Sequence, residues 1–98
     1  MLTIKEEIAK FLGEAVEKAS GEVLSPGDVA SSFEAPREEK FGDLSTNAAL
    51  KAAKAAKKVP RVVAEEITRH LGESIKRAGL EARISKIAVE GPGFINFT

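Results

Sequence analysis

The 98-residue sequence contains no cysteine, tryptophan or tyrosine, and its only histidine is His70. Without cysteine there are no disulfides and no thiolate chemistry, so a reducing, cytoplasmic setting is the default expectation. His70 lies off the apolar stripe of its predicted helix and the serines fall in turns, so no set of nucleophile, base and orienting group can be assembled. Residues spaced as metal ligands are also missing. We therefore predict no catalytic residue and no metal site.

Two further absences narrow the function. No apolar run is long enough to cross a bilayer and no basic-then-apolar leader opens the chain, so a membrane partner is not expected. The glycine-rich loop that cradles phosphates ahead of a helix is missing too, because Gly91-Pro92-Gly93 leads into a predicted strand. A binding or positioning module remains.

Composition and charge suit one small domain with a polarised surface. An apolar content of 43% with five phenylalanines supports a single core. The net charge is zero, but residues 1–50 carry five Lys or Arg against ten Asp or Glu, and residues 51–98 carry ten against five. The basic second half favours an anionic partner, although such a split also occurs in domains whose own charges complement one another.

Helical periodicity predicts two long amphipathic helices. The first begins with a capping box at Thr3 and ends at Gly21, where a glycine can adopt the left-handed conformation of a helix end. The other begins at Pro60, which suits the first position of a helix, and ends at Gly79.

The segments between these helices are predicted from turn and cap residues. After a turn at residues 25–28, alternating side chains over residues 29–35 predict a short, half-buried strand. A helix rich in Ala and Lys is predicted over residues 48–58, with Asp43 or Ser45 as its N-cap.

The C-terminal part is predicted to form a β-hairpin. Ile84 and Ile87 are three residues apart and cannot share a face, so the first strand contains a bulge or begins late before the turn at residues 91–93. Together with the upstream elements this predicts an α+β fold, a two-layer sandwich with helices on one face of a small, mostly antiparallel sheet and the other face free. The predicted core residues are Phe11, Leu12, Val16, Phe33, Ile67, Leu71, Ile87, Val89, Ile95 and Phe97.

The last strand places an aromatic ring and an amide on one face. If Ile95 and Phe97 face the core, Phe94 and Asn96 lie together on the opposite face and are expected to be exposed. A phenylalanine ring stacks on a nucleobase and an asparagine amide both donates and accepts along the edge of the base. The structural alternative is that Phe94 packs under a helix and Asn96 is a solvated strand residue.

Lysines form a second candidate site. Lys51, Lys54 and Lys58 recur at spacings of three and four, which places them on one stripe of the predicted helix, with Lys57 beside them. Such a stripe can follow the phosphates of a nucleic acid. It can equally be a solubilising helix face whose aliphatic stems cover apolar surface.

Four segments in this order resemble a known family, the N-terminal additional domain of arginyl-tRNA synthetases, and the resemblance spans residues 1–98. The segments are Glu34-Ala35-Pro36, Phe41-Gly42-Asp43-Leu44-Ser45-Thr46-Asn47-Ala48-Ala49, Lys58-Val59-Pro60 leading to Ala64-Glu65-Glu66-Ile67, and Glu90-Gly91-Pro92-Gly93-Phe94-Ile95-Asn96-Phe97. In that family the domain contacts the D-loop at the outer corner of the tRNA. The resemblance implies that Phe94 and Asn96 match the aromatic and amide positions that read a D-loop base.

The resemblance also implies partners and limits. The whole enzyme attaches arginine to tRNA with ATP, so tRNA and the catalytic domain of the same polypeptide are the expected partners of a monomeric domain that itself needs no cofactor. The His-Ile-Gly-His-type and Lys-Met-Ser-Lys-type signatures of the catalytic domain are absent here, so the chain is expected to be a fragment without ligase activity. An alternative function is a protein–protein or interdomain docking module without RNA contact. A regulatory domain that binds a small molecule is disfavoured, because the sequence suggests no pocket.

Overall fold

Helices and a four-stranded antiparallel sheet form a two-layer α+β fold in the computed structural model, which describes residues 4–34, 44–80, 84 and 86–97. The predicted fold class is confirmed. In chain order the elements are α1 (Ile4–Ser20), α2 (Pro26–Ser31), β1 (Phe33–Glu34), β2 (Leu44–Thr46), α3 (Ala48–Ala56), α4 (Pro60–Ala78), β3 (Ile87–Glu90) and β4 (Phe94–Phe97).

The sheet has the strand order β1-β2-β4-β3, and all three pairs are antiparallel. The C-terminal strand β4 is therefore central, with β2 on one side and β3 on the other. Because side chains alternate along a strand, the register defines two faces. One row across the sheet runs Phe33, Thr46, Ile95 and Val89 on the helix side, and the next row runs Glu34, Ser45, Asn96 and Ala88 on the opposite, outer face.

The core lies between the sheet and the helices. Helices α3 and α4 pack against β4, and α1 packs mainly on α4. Seven of the ten predicted core residues are buried, while Phe11, Ile87 and Val89 are half-buried and pack against the same cluster, so the prediction of one core is confirmed in outline. Small side chains at Ala48, Ala49, Ala52 and Ala53 let α3 lie close to its neighbours.

The predicted strand over residues 29–35 is wrong for most of its length. Residues from Pro26 to Ser31 form α2, and only Phe33 and Glu34 are extended. The Ser25 Oγ accepts a hydrogen bond from the Asp28 backbone N–H at 3.1 Å, and Pro26 occupies the first turn. A serine cap followed by proline favours a helix start, and this local chemistry outweighs the alternating pattern. Ala35 lies outside the described residues.

A strand replaces the predicted N-terminal cap of α3. Ser45 belongs to β2 and is buried, so it cannot cap the helix, and Asp43 lies outside the described residues. The Thr46 Oγ1 instead accepts a hydrogen bond from the Ala48 backbone N–H at 3.2 Å. Asn47 occupies the N-cap position without a side-chain cap bond. The run of polar residues predicted a cap, but the pairing of Ser45 and Thr46 with β1 and β4 makes these two part of a strand.

The remaining boundaries agree with the sequence. Gly21 and Gly79 end α1 and α4 with positive φ angles of 79° and 73°, and Pro60 is the first residue of α4. The strand β3 begins late, at Ile87, as one of the two predicted possibilities requires. The predicted capping residue Thr3 lies outside the described residues. None of the described helices is long and apolar enough to cross a membrane.

Candidate nucleic-acid interface

The turn between β3 and β4 has the backbone that its glycines predict. Gly91 has a φ of 56° and Gly93 a φ of 147°, both in regions that residues with a Cβ rarely adopt. The Gly93 N–H donates a hydrogen bond to the Glu90 carbonyl at 3.3 Å, which closes the turn. The chain therefore reverses directly before Phe94.

The start of α4 holds this turn at two points. A Cβ atom on the buried Gly93 would lie 3.1 Å from the Pro60 carbonyl oxygen, so the two backbones are in close contact. The Arg61 Nη1 donates a hydrogen bond to the Gly91 carbonyl at 2.7 Å. Glu65, one turn further on, lies 3.7 Å from the Arg61 Nε. The hairpin is thus anchored to the helix layer next to the candidate site.

Phe94 is half-buried at the start of β4. It pairs with Glu90 of β3, and a Cβ atom on Gly91 would lie 3.9 Å from its Cδ2, so the ring sits beside the turn. Ile95 and Phe97 are buried on the helix side, as predicted, which leaves Phe94 on the outer face. The ring therefore keeps part of its surface accessible, although it is less exposed than the sequence predicts.

Asn96 lies on the predicted face, but the prediction that it is exposed is wrong. Its exposed fraction is 6%. Because β4 is an interior strand, Ser45 of β2 and Ala88 of β3 flank Asn96 on both sides, and Phe94 is its neighbour on the same face of the strand. No described residue forms a hydrogen bond with the Asn96 side chain. The side chain is shielded as a whole, but its amide atoms are not among the fully buried unpaired polar atoms of the described residues, so they keep a small contact with solvent on the outer face.

The lysine stripe is only partly helical. Lys51 and Lys54 share one side of α3, but the helix ends at Ala56, and Lys57 adopts a left-handed conformation with a φ of 56°. The predicted extension of this helix to Lys58 is therefore wrong. The Lys51 Nζ donates a hydrogen bond to the Ser31 Oγ at 3.3 Å, which draws it toward α2. Lys54, Lys57 and Lys58 are exposed.

The break in the helix brings Lys58 close to the hairpin. Lys58 precedes Pro60 by two residues, so its Cα lies within about 7 Å of the residue that contacts Gly93. Val59 and Val62, at the same end of α4, are 62% and 51% exposed. No role was predicted for Arg61, Val59 or Val62, and the only signal for them was their place beside Pro60.

This arrangement suits noncovalent binding of an unpaired base and its backbone. A partly exposed ring lies next to an unpartnered amide, with exposed cations at Lys58 and Arg61 around the hairpin. The described residues contain no cluster of three His, Asp or Glu that could hold a metal ion. His70 is half-buried on α4, nine residues beyond Arg61.

Comparison with known proteins identifies one family across the whole chain. The family model described as the arginyl tRNA synthetase N terminal domain matches residues 3–98. An arginine–tRNA ligase of Anoxybacillus flavithermus is 40% identical over 101 residues, which cover 98% of this chain and 17% of the ligase. Arginine–tRNA ligase 1 of Halalkalibacterium halodurans is 41% identical over 97 residues, which cover 96% of this chain and 15% of the ligase.

The Bacillus subtilis arginine–tRNA ligase is 37% identical over 102 residues, and it too matches 98% of this chain with 17% of its own length. This chain thus spans only about a sixth of these ligases, within their N-terminal domain. The family resemblance is confirmed, and so is the prediction that the chain is a fragment of a ligase without the catalytic domain.

Proposed function

The chain belongs to the arginyl-tRNA synthetase N-terminal domain family, and from this premise we propose that it docks on the D-loop of tRNA and orients the tRNA for arginylation. In this proposal Phe94 stacks on an unpaired D-loop base. Asn96 contacts the edge of that base, and lysines near the hairpin contact phosphates. The ligation itself, with ATP, belongs to the catalytic domain of the ligase, and the domain described here uses no cofactor.

The observation that carries the proposal is the pairing of Phe94 with Asn96 on the outer face of β4. One side of the half-buried ring lies beside the turn, and part of its surface stays accessible. A ring that stacks on a nucleobase needs this arrangement. Stacking accepts any base, because every base has a π-face. The ring therefore supplies affinity, and discrimination among bases must come from a hydrogen-bonding group beside it.

Asn96 supplies that group in the proposal, even though it is shielded. The amide has no hydrogen-bond partner among the described residues and keeps a small contact with solvent, so its donor and acceptor are available to a base, and a base that covers it without pairing leaves it unsatisfied. Its flanking residues on the outer face, Ser45 and Ala88, are small, so they add little side-chain bulk beside the amide. Asn96 would therefore discriminate against a base that cannot pair with it, because the amide would stay unpaired in that complex.

Exposed cations extend the proposed interface to the backbone of the RNA. Lys54 lies on α3 and Lys58 lies in the segment that leads to the hairpin, while Lys51 is held by Ser31 and is less free to reach a phosphate. Each phosphate that a lysine neutralises releases counterions and steepens the salt dependence of binding. We also propose that the domain acts in the cytoplasm, where translation occurs, and that it is a monomer.

The alternative function is docking of another protein domain, and one observation favours it. Val59 and Val62 present exposed apolar surface beside the hairpin. An apolar interface holds or tightens as salt rises, whereas binding to tRNA weakens steeply. Affinity measured at two salt concentrations therefore separates the two functions.

The central test is Phe94→Ala. We expect this variant to lose about 1–3 kcal/mol of tRNA binding, because a stacking platform is removed, with little change in melting temperature. Affinity for arginine tRNA is measured by fluorescence anisotropy at two salt concentrations, with this chain and with a full ligase that carries it. Asn96→Ala is expected to flatten discrimination among tRNAs that differ at D-loop bases, and its melting curve reports any packing cost separately.

Two lysines provide a matched pair for the same measurement. Lys54→Ala should weaken binding to every tRNA alike and lower the salt slope by about one. Lys76→Ala removes the same charge at the far end of α4, about 24 Å from Pro60, and should change neither quantity. If Phe94→Ala binds every D-loop variant as the unmodified chain does, the proposed base contact is wrong.

A further inference from the structure

Arg61 joins the first turn of α4 to the hairpin that carries Phe94. Its Nη1 donates to the Gly91 carbonyl at 2.7 Å, across 30 residues of chain. Its Nε lies 3.7 Å from the Glu65 carboxylate, which stands one helical turn away and helps to hold the guanidinium in place. A guanidinium presents its donors in a fixed fork, so holding one side of it fixes the direction of the other.

The acceptor of this bond belongs to a residue that lies beside the Phe94 ring. The ring's Cδ2 lies beside Gly91, at 3.9 Å from where a Gly91 Cβ would stand, and Gly91 has a left-handed backbone with a φ of 56°. In this turn Gly91 and Pro92 are exposed and Gly93 is buried. Besides the Gly93 bond to Glu90, the close approach of Gly93 to Pro60 and the bond from Arg61 hold the turn against α4.

From this geometry we infer that Arg61 is a positioning residue, which sets the Gly91 backbone and thereby the orientation of the Phe94 ring for stacking on a base. The inference rests on the proposed function for its consequence in RNA binding. Its structural part, that Arg61 orders the turn and the ring, stands independently of any RNA. Arg61 acts through Phe94 and does not itself need to touch the base.

The test compares Arg61→Met, Arg61→Lys and the control Arg69→Met in this chain. Met keeps an unbranched, flexible side chain, although a shorter one, and removes the donors, whereas Lys restores one donor for the Gly91 carbonyl. Arg69 is exposed on α4 two turns further on, so its replacement removes the same charge from the same helix without touching the turn. Two sets of measurements are made. Without RNA, hydrogen exchange of the Gly93 amide and the chemical shifts of the Phe94 ring are measured. With RNA, the affinity for arginine tRNA is measured.

In the absence of RNA, Arg61→Met should speed exchange of the Gly93 amide roughly three- to tenfold, the range expected for loss of one hydrogen bond. The Phe94 ring resonances should shift at the same time. Arg61→Lys should recover part of both effects, and Arg69→Met should show neither. Unchanged exchange and ring shifts in Arg61→Met would overturn the inference, whatever happens to RNA binding.

With tRNA, Arg61→Met should weaken binding by a similar roughly three- to tenfold factor in the unmodified chain. In a Phe94→Ala background the same substitution should cost nothing further, because the ring through which Arg61 acts is gone. If Arg61→Met weakens tRNA binding by the same factor in the unmodified chain and in the Phe94→Ala background, Arg61 does not act through the ring. It would then be a direct phosphate contact.

Failure of the proposed function looks different. If Phe94→Ala alone leaves tRNA affinity unchanged, the base contact is wrong, and the exchange and ring-shift data still decide whether Arg61 orders the turn.

Discussion

Replacing Phe97 with Ala is expected to cost about 3–5 kcal/mol of the free energy of unfolding, because a buried ring leaves a cavity that the core cannot fill completely. Phe97 is 3% exposed on the central strand, and its ring centroid lies 6.4 Å from that of Phe33. Its strand partners are Leu44 and Ile87. For a domain of this size the melting temperature should fall by roughly 15 °C or more.

Phe94→Ala is the matched control, since it makes the same change three residues earlier on the same strand. Phe94 is half-buried on the outer face, so its loss should move the melting temperature far less. Thermal and urea denaturation followed by circular dichroism measure both variants. Equal destabilisation by the two substitutions would mean that the two faces of β4 are assigned wrongly.

The sequence predicted the parts of the fold whose signals are local. Helices α1 and α4 have an apolar stripe over many turns and a glycine at the end, and glycines with a proline define the hairpin turn. Strand β2 was not predicted, because it has no such local signal. It has three residues, two of them polar and buried, and it exists because β1 and β4 supply its hydrogen-bond partners. A pairing between distant residues leaves no periodic signal.

Strand β2, which the sequence did not predict, explains why Asn96 was wrongly expected to be exposed. Without β2 the last strand is at the rim of the sheet, and both Phe94 and Asn96 would be open to solvent on one side. With β2 in place, Ser45 flanks Asn96 and the exposed fraction of Asn96 falls to 6%. Alternation along β4 placed both residues on the correct face, but burial depends on what the neighbouring strands supply.

Arg61 was missed for a related reason. Its bond to the Gly91 carbonyl spans 30 residues, and nothing in the sequence near Arg61 points to the hairpin. Lys58 was placed on a helix that ends two residues earlier, because a left-handed Lys57 is unfavourable on its own and is held by the bonds that the Lys57 and Lys58 amides make to the Ala53 carbonyl. Both features depend on tertiary contacts.

Gly93→Ala should be among the most damaging single-methyl additions in the chain, with an expected loss of about 2–6 kcal/mol of the free energy of unfolding. The Gly93 φ of 147° strains any residue that carries a Cβ, at a cost of about 1–3 kcal/mol. The new methyl carbon would also lie 3.1 Å from the Pro60 carbonyl oxygen and 3.2 Å from the Pro60 carbonyl carbon. These are backbone atoms at the start of α4, so they cannot rotate away, and the overpacking adds roughly 1–3 kcal/mol.

Gly72→Ala is the matched control, because the same substitution there should act in the opposite direction. Gly72 lies inside α4, and a Cβ atom at this position would meet nothing within 4 Å. Replacing a helical glycine with alanine should stabilise the domain by about 0.5–1 kcal/mol. Both variants are measured by urea denaturation, with tRNA affinity as a second readout, since displacement of the hairpin from Pro60 also moves Phe94. A Gly93→Ala variant as stable as the unmodified chain would show that the hairpin does not rest on α4.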